Sequence, residues 1–168
     1  SEKIKKVDGS SETNLDKPDV PQTGEQKKEE ILKQSNIKLG LASVSKEEAI
    51  KQAGELLKNA GYVEEEYING MLEREKLVST YLDHNIAIPH GEAEVKEKVK
   101  KTGIVVLQYP QGIDYGDGNT VKLLIGIAGK GNEHIDVIAK LAGILDDEAE
   151  AEKLVNSSDA DYVYNCLK

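Results

Sequence analysis

The stretch 102–129, reading "TGIVVLQYPQGIDYGDGNTVKLLIGIAG", decides the fold. Its two ends, "TGIVVLQY" and "VKLLIGIAG", are near-continuous apolar runs rich in Val, Ile and Leu, the pattern of strands covered on both faces rather than on one. Between them, "YPQGIDYGDGN" carries Pro110, Gly112, Gly116 and Gly118 and is expected to be the connecting turn. Two covered strands need helices above and below, and the flanking sequence supplies them.

Downstream, "NEHIDVIAKLAGILDD" is expected to be an amphipathic helix, with Asn132 as N-cap and Ile135, Ile138, Leu141, Ala142 and Leu145 facing inward. Two shorter helices, "DEAEAEKLVN" and "DADYVYNCLK", follow. Upstream, "SKEEAIKQAGELLKNAGY" begins with Ser45 and Glu48 at capping-box spacing. It presents Ala49, Ile50, Ala53, Leu56 and Leu57 on one face and ends at Gly61. "VEEEYINGMLEREKL" is a second helix. Its first turn is acidic, which suits the helix dipole, and its apolar face carries Tyr67, Ile68, Met71 and Leu72, with Arg74 near its end. "NIKLGLA", "STYL" and "IAI" read as short extended pieces, and "EAEVKEKVK" as a short helix or helical turn. Helices on a mixed sheet make residues 36–168 a single α/β domain. Residues 1–35, charged, poor in apolar side chains and holding Pro18 and Pro21, are expected to form a flexible tail or linker.

Composition limits the function. The 168 residues carry a formal net charge of -9, which excludes the basic face that nucleic acid requires. The one cysteine, Cys166, leaves no intramolecular disulfide and no Cys-rich zinc site, in keeping with a reducing cytoplasm. No apolar run approaches the roughly 18 residues of a membrane span, and no charged-then-apolar segment opens the sequence, so neither membrane insertion nor a signal peptide is expected. Phe and Trp are absent, so the core is aliphatic with some Tyr. Lysine is used almost everywhere, and Arg74 is the single arginine.

Three histidines carry the candidate chemistry. "NIAIPHG" puts His90 at the exit of a strand, behind a rigid proline and before a glycine that leaves one side of the ring open. An imidazole there is a nucleophile near neutral pH and survives phosphorylation and dephosphorylation; a strand-end cap is the structural alternative. His134 falls in the first turn of a helix behind "GKGN", where unpaired N–H groups and the dipole favour an anion. "GKGN" is not a P-loop, since position 124 is Leu and Asn follows Gly131. His84 lies six residues before His90. A zinc site of His84, His90, His134 and a carboxylate is the metal alternative, though no pair has the i, i+4 spacing of a helix-borne metal motif. A Ser-His-Asp hydrolase lacks its Gly-x-Ser-x-Gly elbow.

Taken together, "MLEREKLVSTYLDHNIAIPHG", "KTGIVVLQYPQGIDYGDG" and "LLIGIAGKGNEHIDVIAKLAGILDDE" resemble the enzyme IIA component of the mannitol/fructose class of the bacterial phosphoenolpyruvate-dependent sugar phosphotransferase system, most closely its mannitol-specific branch. The resemblance runs from about Asn36 to the C-terminus. It implies that His90 accepts a phosphoryl group, through Nε2, from the phosphohistidine of the histidine phosphocarrier protein and passes it to a cysteine of the IIB component. It also implies that His134 and Arg74 are the second site histidine and the site arginine, that no metal or other cofactor takes part, and that the site is shallow enough for a protein partner. Arginine suits such a site because its fork of donors matches phosphate oxygens. The same fold family includes regulatory IIA-like phospho-switch domains, of nitrogen-type relays or attached to transcription regulators, which form the alternative. Asp83 departs from the family's small residue at that position and puts the shape of the turn before the motif in question. His84 has no family role and is expected at the surface.

Overall fold

The computed structural model describes residues 31–91 and 93–168. The expected tail lies outside the described residues up to position 30. Leu32, counted with that tail, is fully buried, and a 3-10 turn, Gln34–Asn36, leads into the first strand, with Gln34 Nε2 donating to Asp161 Oδ1 at 2.6 Å.

The strands are β1 (Ile37–Lys38), β2 (Tyr81–Asp83), β3 (Ile86–Ala87), β4 (Gly103–Asp114) and β5 (Thr120–Ala128). They form one mixed sheet in the order β1-β4-β5-β3-β2, with β1–β4 and β3–β5 parallel and β4–β5 and β2–β3 antiparallel. The helices are α1 (Lys46–Asn59), α2 (Glu66–Leu77), α3 (Glu133–Leu145), α4 (Glu148–Asn156) and α5 (Ala160–Leu167).

Because β4 and β5 are apolar on both faces, alternate side chains feed two cores. Val105, Leu107 and Tyr109 pack with Ala49, Ala53 and Leu57 of α1 and Tyr67 and Met71 of α2. Ile104, Val106, Ile125 and Ile127 pack with Leu141 of α3, Leu154 of α4, and Val163 and Leu167 of α5. The mixed sheet flanked by helices is as the sequence leads one to expect, and the helices lie on both its faces, in a three-layer α/β/α arrangement. α1 approaches closely at Gly126, where a Cβ would fall 3.1 Å from that of Ala53. Among the described residues no helix is long and apolar enough to cross a membrane.

Local signals work where they are complete. Ser45 caps α1, its side chain accepting from Glu48 N at 3.1 Å. Gly61 at φ +86° closes it, with Gly61 N donating to Lys58 O and Tyr62 N to Leu57 O, a Schellman motif. Two expectations need correction. Pro110 and Gly112 lie within β4, not in the turn. The ladder runs Gln108–Leu123, then Ile113–Val121, so Tyr109, Pro110, Gln111 and Gly112 face only Lys122. This bulge accommodates a proline without N–H and Gly112 at φ +82°, and the true turn is confined to 115–119. In α3, Ile135 and Ala142 are exposed; the inward stripe is Val137, Ile138, Leu141, Ile144 and Leu145. α3 is apolar almost all round, so periodicity could not choose its face.

Candidate active site

β3 and β5 are parallel, and their carboxyl ends open into the loops that carry His90 and His134, the usual place for a site in an α/β sheet. After β3 the chain passes through Pro89, and His90 still pairs with Ile127 of β5, in a parallel bridge. The ring is half-buried, and its Nδ1 lies 2.8 Å from Ile88 O. A carbonyl only accepts, so Nδ1 carries the proton and Nε2 is left with its lone pair. Burial pushes the His90 pKa below the ordinary imidazole value of 6.5; the Ile88 carbonyl opposes the shift, the charges of Arg74 and His134 add to it, and Glu75 opposes it. The ring is thus biased toward its neutral, nucleophilic form.

His134 stands in the first turn of α3, its ring centroid 6.0 Å from that of His90 and its plane inclined by 30°. Burial lowers its pKa and the positive charge of Lys96 lowers it further. Gly129 permits this approach: a Cβ there would lie 2.2 Å from His134 N. The expected N-cap, Asn132, stands at the cap position but makes no capping hydrogen bond, and its Oδ1 accepts instead from Lys96 Nζ at 2.6 Å. The loop before α3 is tied down by Thr102, whose hydroxyl donates to Glu133 and accepts from Lys130 N.

Arg74 reaches the same place from the last turn of α2. Nη1 donates to Val78 O at 2.7 Å, satisfying a carbonyl at the end of its own helix and fixing the guanidinium near His90. The three residues singled out in the sequence are therefore brought together, from three separate elements. Leu77 and Val78, just past Arg74 in sequence, and Ile135, next to His134, are apolar side chains left 68%, 66% and 56% exposed.

His84 does not join them. It occupies a tight hairpin between β2 and β3 with Asn85, at φ 53° and 66°, a primed turn that suits antiparallel strands. There it lines a small cleft with Lys122, Glu148 and Glu152. Asp83, the departure noted in the sequence, steadies this turn by accepting from His84 N at 2.8 Å. Among the described residues no three His, Cys, Asp or Glu side chains are grouped as metal ligands would be.

Three participants were not legible. Tyr67 was read only as a core residue, yet its hydroxyl accepts from Gly91 N at 2.8 Å and donates to Ile127 O at 2.8 Å. A buried Tyr must find partners, which was the available signal. Glu75 is buried and fully engaged: it accepts from Thr80 N at 2.9 Å, from Thr80 Oγ1 at 2.5 Å and from Tyr115 OH at 3.2 Å, and pairs with Lys46 Nζ at 3.0 Å. It clamps the connection that presents Val78 O to Arg74. Lys96 carried no signal among so many lysines.

The sequence profile described as "Phosphoenolpyruvate-dependent sugar phosphotransferase system, EIIA 2" matches residues 30–168. A mannitol-specific phosphotransferase enzyme IIA component of Geobacillus stearothermophilus is 47% identical over 137 residues, 82% of this chain and 94% of that protein. The mannitol-specific EIICBA component of Escherichia coli is 49% identical over 134 residues, 79% of this chain but only 21% of that longer protein. Among solved structures, a chain of the complex of enzyme IIAMTL and phosphorylated enzyme IIBMTL from Escherichia coli superposes with a TM-score of 0.75 at 48% identity, covering 79% of this chain and 93% of that one. On this evidence the chain belongs to the EIIA 2 family of the phosphoenolpyruvate-dependent sugar phosphotransferase system, and is a phosphotransferase of that system.

Proposed function

We propose that this protein is the phosphoryl carrier for mannitol uptake, taking a phosphoryl group on His90 from the histidine phosphocarrier protein and giving it to a cysteine of the IIB component. The observation that carries this reading is the 2.8 Å contact of His90 Nδ1 with Ile88 O, which leaves Nε2 as the free nucleophile. The Nε2 lone pair attacks phosphorus in line. A new N–P bond forms as the N–P bond of the donor breaks, and the donor imidazole leaves with that electron pair. Arg74 and His134 donate to the equatorial oxygens, as a loose phosphoryl transfer state requires. In the second transfer a cysteine thiolate attacks, an S–P bond replaces the N–P bond, and His90 leaves neutral. The depressed His90 pKa helps both steps, because a neutral ring is nucleophile in the first and leaving group in the second.

Mannitol is favoured by relatives at 47% and 49% identity that bear that specificity in their names, and the IIB partner by the solved complex. The exposed apolar side chains Leu77, Val78 and Ile135, close in sequence to Arg74 and His134, suit contact with a protein partner. We place the relay in the cytoplasm, in accord with a single cysteine and no disulfide partner for it. The test is intact-mass analysis after incubation with phosphoenolpyruvate, enzyme I and the phosphocarrier protein. One acid-labile phosphoryl group on wild type and none on His90→Ala is the expected result. No uptake by wild type from a phosphorylated carrier would overturn the reading in favour of a regulatory phospho-switch.

A further inference from the structure

The pairing of β3 with β5 keeps one register past the end of β3. Ile86 faces Leu123, Ala87 faces Leu124, and after the interruption at Ile88 and Pro89, His90 faces Ile127. Ile127 N donates to Pro89 O at 3.0 Å. In an even parallel ladder the next bond would run from Gly91 N–H to Ile127 O. Here the Tyr67 hydroxyl takes the Gly91 N–H and itself donates to Ile127 O, each at 2.8 Å. A side chain from α2 is spliced into the sheet one residue from the phosphoryl acceptor.

The splice requires the glycine. A Cβ on residue 91 would lie 2.5 Å from Tyr67 Cε1 and 2.8 Å from Cζ, so the tyrosine ring occupies the space that any other residue would fill. The phenol is buried, and burial pushes its pKa up to about 12 against the opposing Gly91 N–H, so it stays protonated and keeps its bond to Ile127. Tyr67 and Arg74 are two turns apart on α2 and therefore share a face, with Met71 between them.

We infer that Tyr67 is a positioning residue for phosphoryl transfer: by splicing α2 into the β3–β5 ladder beside His90, it fixes the nucleophile relative to the arginine carried two turns further along the same helix. The inference rests on the reading of His90 as phosphoryl acceptor. A second route joins the loop to α2 ahead of the proline, through Thr80, which Glu75 holds and whose O accepts from Ile88 N at 3.0 Å; the Tyr67 bond engages Gly91, on the other side of His90. Transfer depends steeply on such placement, since a misplacement of about 1 Å can cost on the order of 10²-fold in rate.

The experiment compares wild type with Tyr67→Phe, full chain, well below the melting temperature of either. Phe keeps the ring against Gly91 and removes only the hydroxyl. We expect kcat for phosphoryl uptake from the phosphorylated carrier to fall about tenfold while KM for the carrier stays within about twofold, the signature of lost transition-state placement. Long-range 1H–15N spectra should show a single Nδ1–H tautomer for His90 in wild type and an averaged ring in the variant. A variant that keeps wild-type kcat and a single tautomer, and loses only melting temperature, would overturn the inference and leave Tyr67 a structural residue. Should wild type itself take up no phosphoryl group, it is the proposed function that fails, and the tautomer comparison still decides whether Tyr67 positions the ring. Amide exchange at Gly91 in wild type needs no variant: protection is expected, and exchange at the rate of an open loop would overturn the splice.

Discussion

His90 and His134 lie face to face across the end of the sheet, ring centroids 6.0 Å apart, and the charge of His134 adds to the burial that already disfavours protonation of His90. His134→Gln should therefore raise the pKa of His90, measured by NMR titration of the ring; an unmoved titration would separate the two rings electrostatically. The same shifts have a consequence for stability. Both folded values lie below 6.5, so on acidification the unfolded chain binds protons first. The stabilisation is complete above 6.5 and is lost as pH falls through that value toward the folded pKa values. Melting temperature followed from about pH 8 to pH 5 should fall less steeply for His90→Gln than for wild type.

Arg74→Lys keeps the charge but loses the fork that holds Val78 O with one nitrogen and leaves others for an anion. Phosphoryl uptake should drop by roughly 10²-fold, the typical effect of removing one donor to a developing anionic charge, with circular dichroism unchanged. A rate near that of wild type would remove Arg74 from the site.

Lys96 acts on His134 by charge and on Asn132 by a hydrogen bond, although its own side chain is exposed. Lys96→Met should raise the pKa of His134 and alter stability by no more than about 0.5 kcal/mol, as for most surface substitutions. NMR titration and chemical denaturation check the two halves separately.

Gly91→Ala forces a methyl group into the Tyr67 ring and to within 2.9 Å of Val95 Cγ2. Overpacking of this kind costs about 1–3 kcal/mol. The variant should melt lower and transfer more slowly, and Gly91→Ala combined with Tyr67→Phe should not recover the rate, because the hydroxyl is still missing.

Much of this molecule was legible beforehand, for reasons that differ by element. The Ser45 cap, the Gly61 close of α1 and the two covered strands are local, and their chemistry is complete within a few residues. His90, His134 and Arg74 stood out by type and context. Pro110 misled because a bulge depends on the partner strand, which a single segment does not reveal. The face of α3 was ambiguous because its apolar residues encircle it. Tyr67 and Glu75 looked like an apolar-face residue and one more acidic residue. Their roles arise from partners 24 and 60 residues away for Tyr67, and up to 40 away for Glu75.

The two cores lie on opposite faces of the sheet, and the site takes Arg74 and Tyr67 from one side, His134 from the other and His90 from the middle. Reactivity of the His90 ring is accordingly a gauge of the whole sandwich: peeling either helical layer away would silence it before the sheet itself came apart. Loss of phosphoryl uptake on heating or in denaturant should thus track the first layer to loosen, and a gap between inactivation and the loss of strand signal would time how the sandwich comes undone.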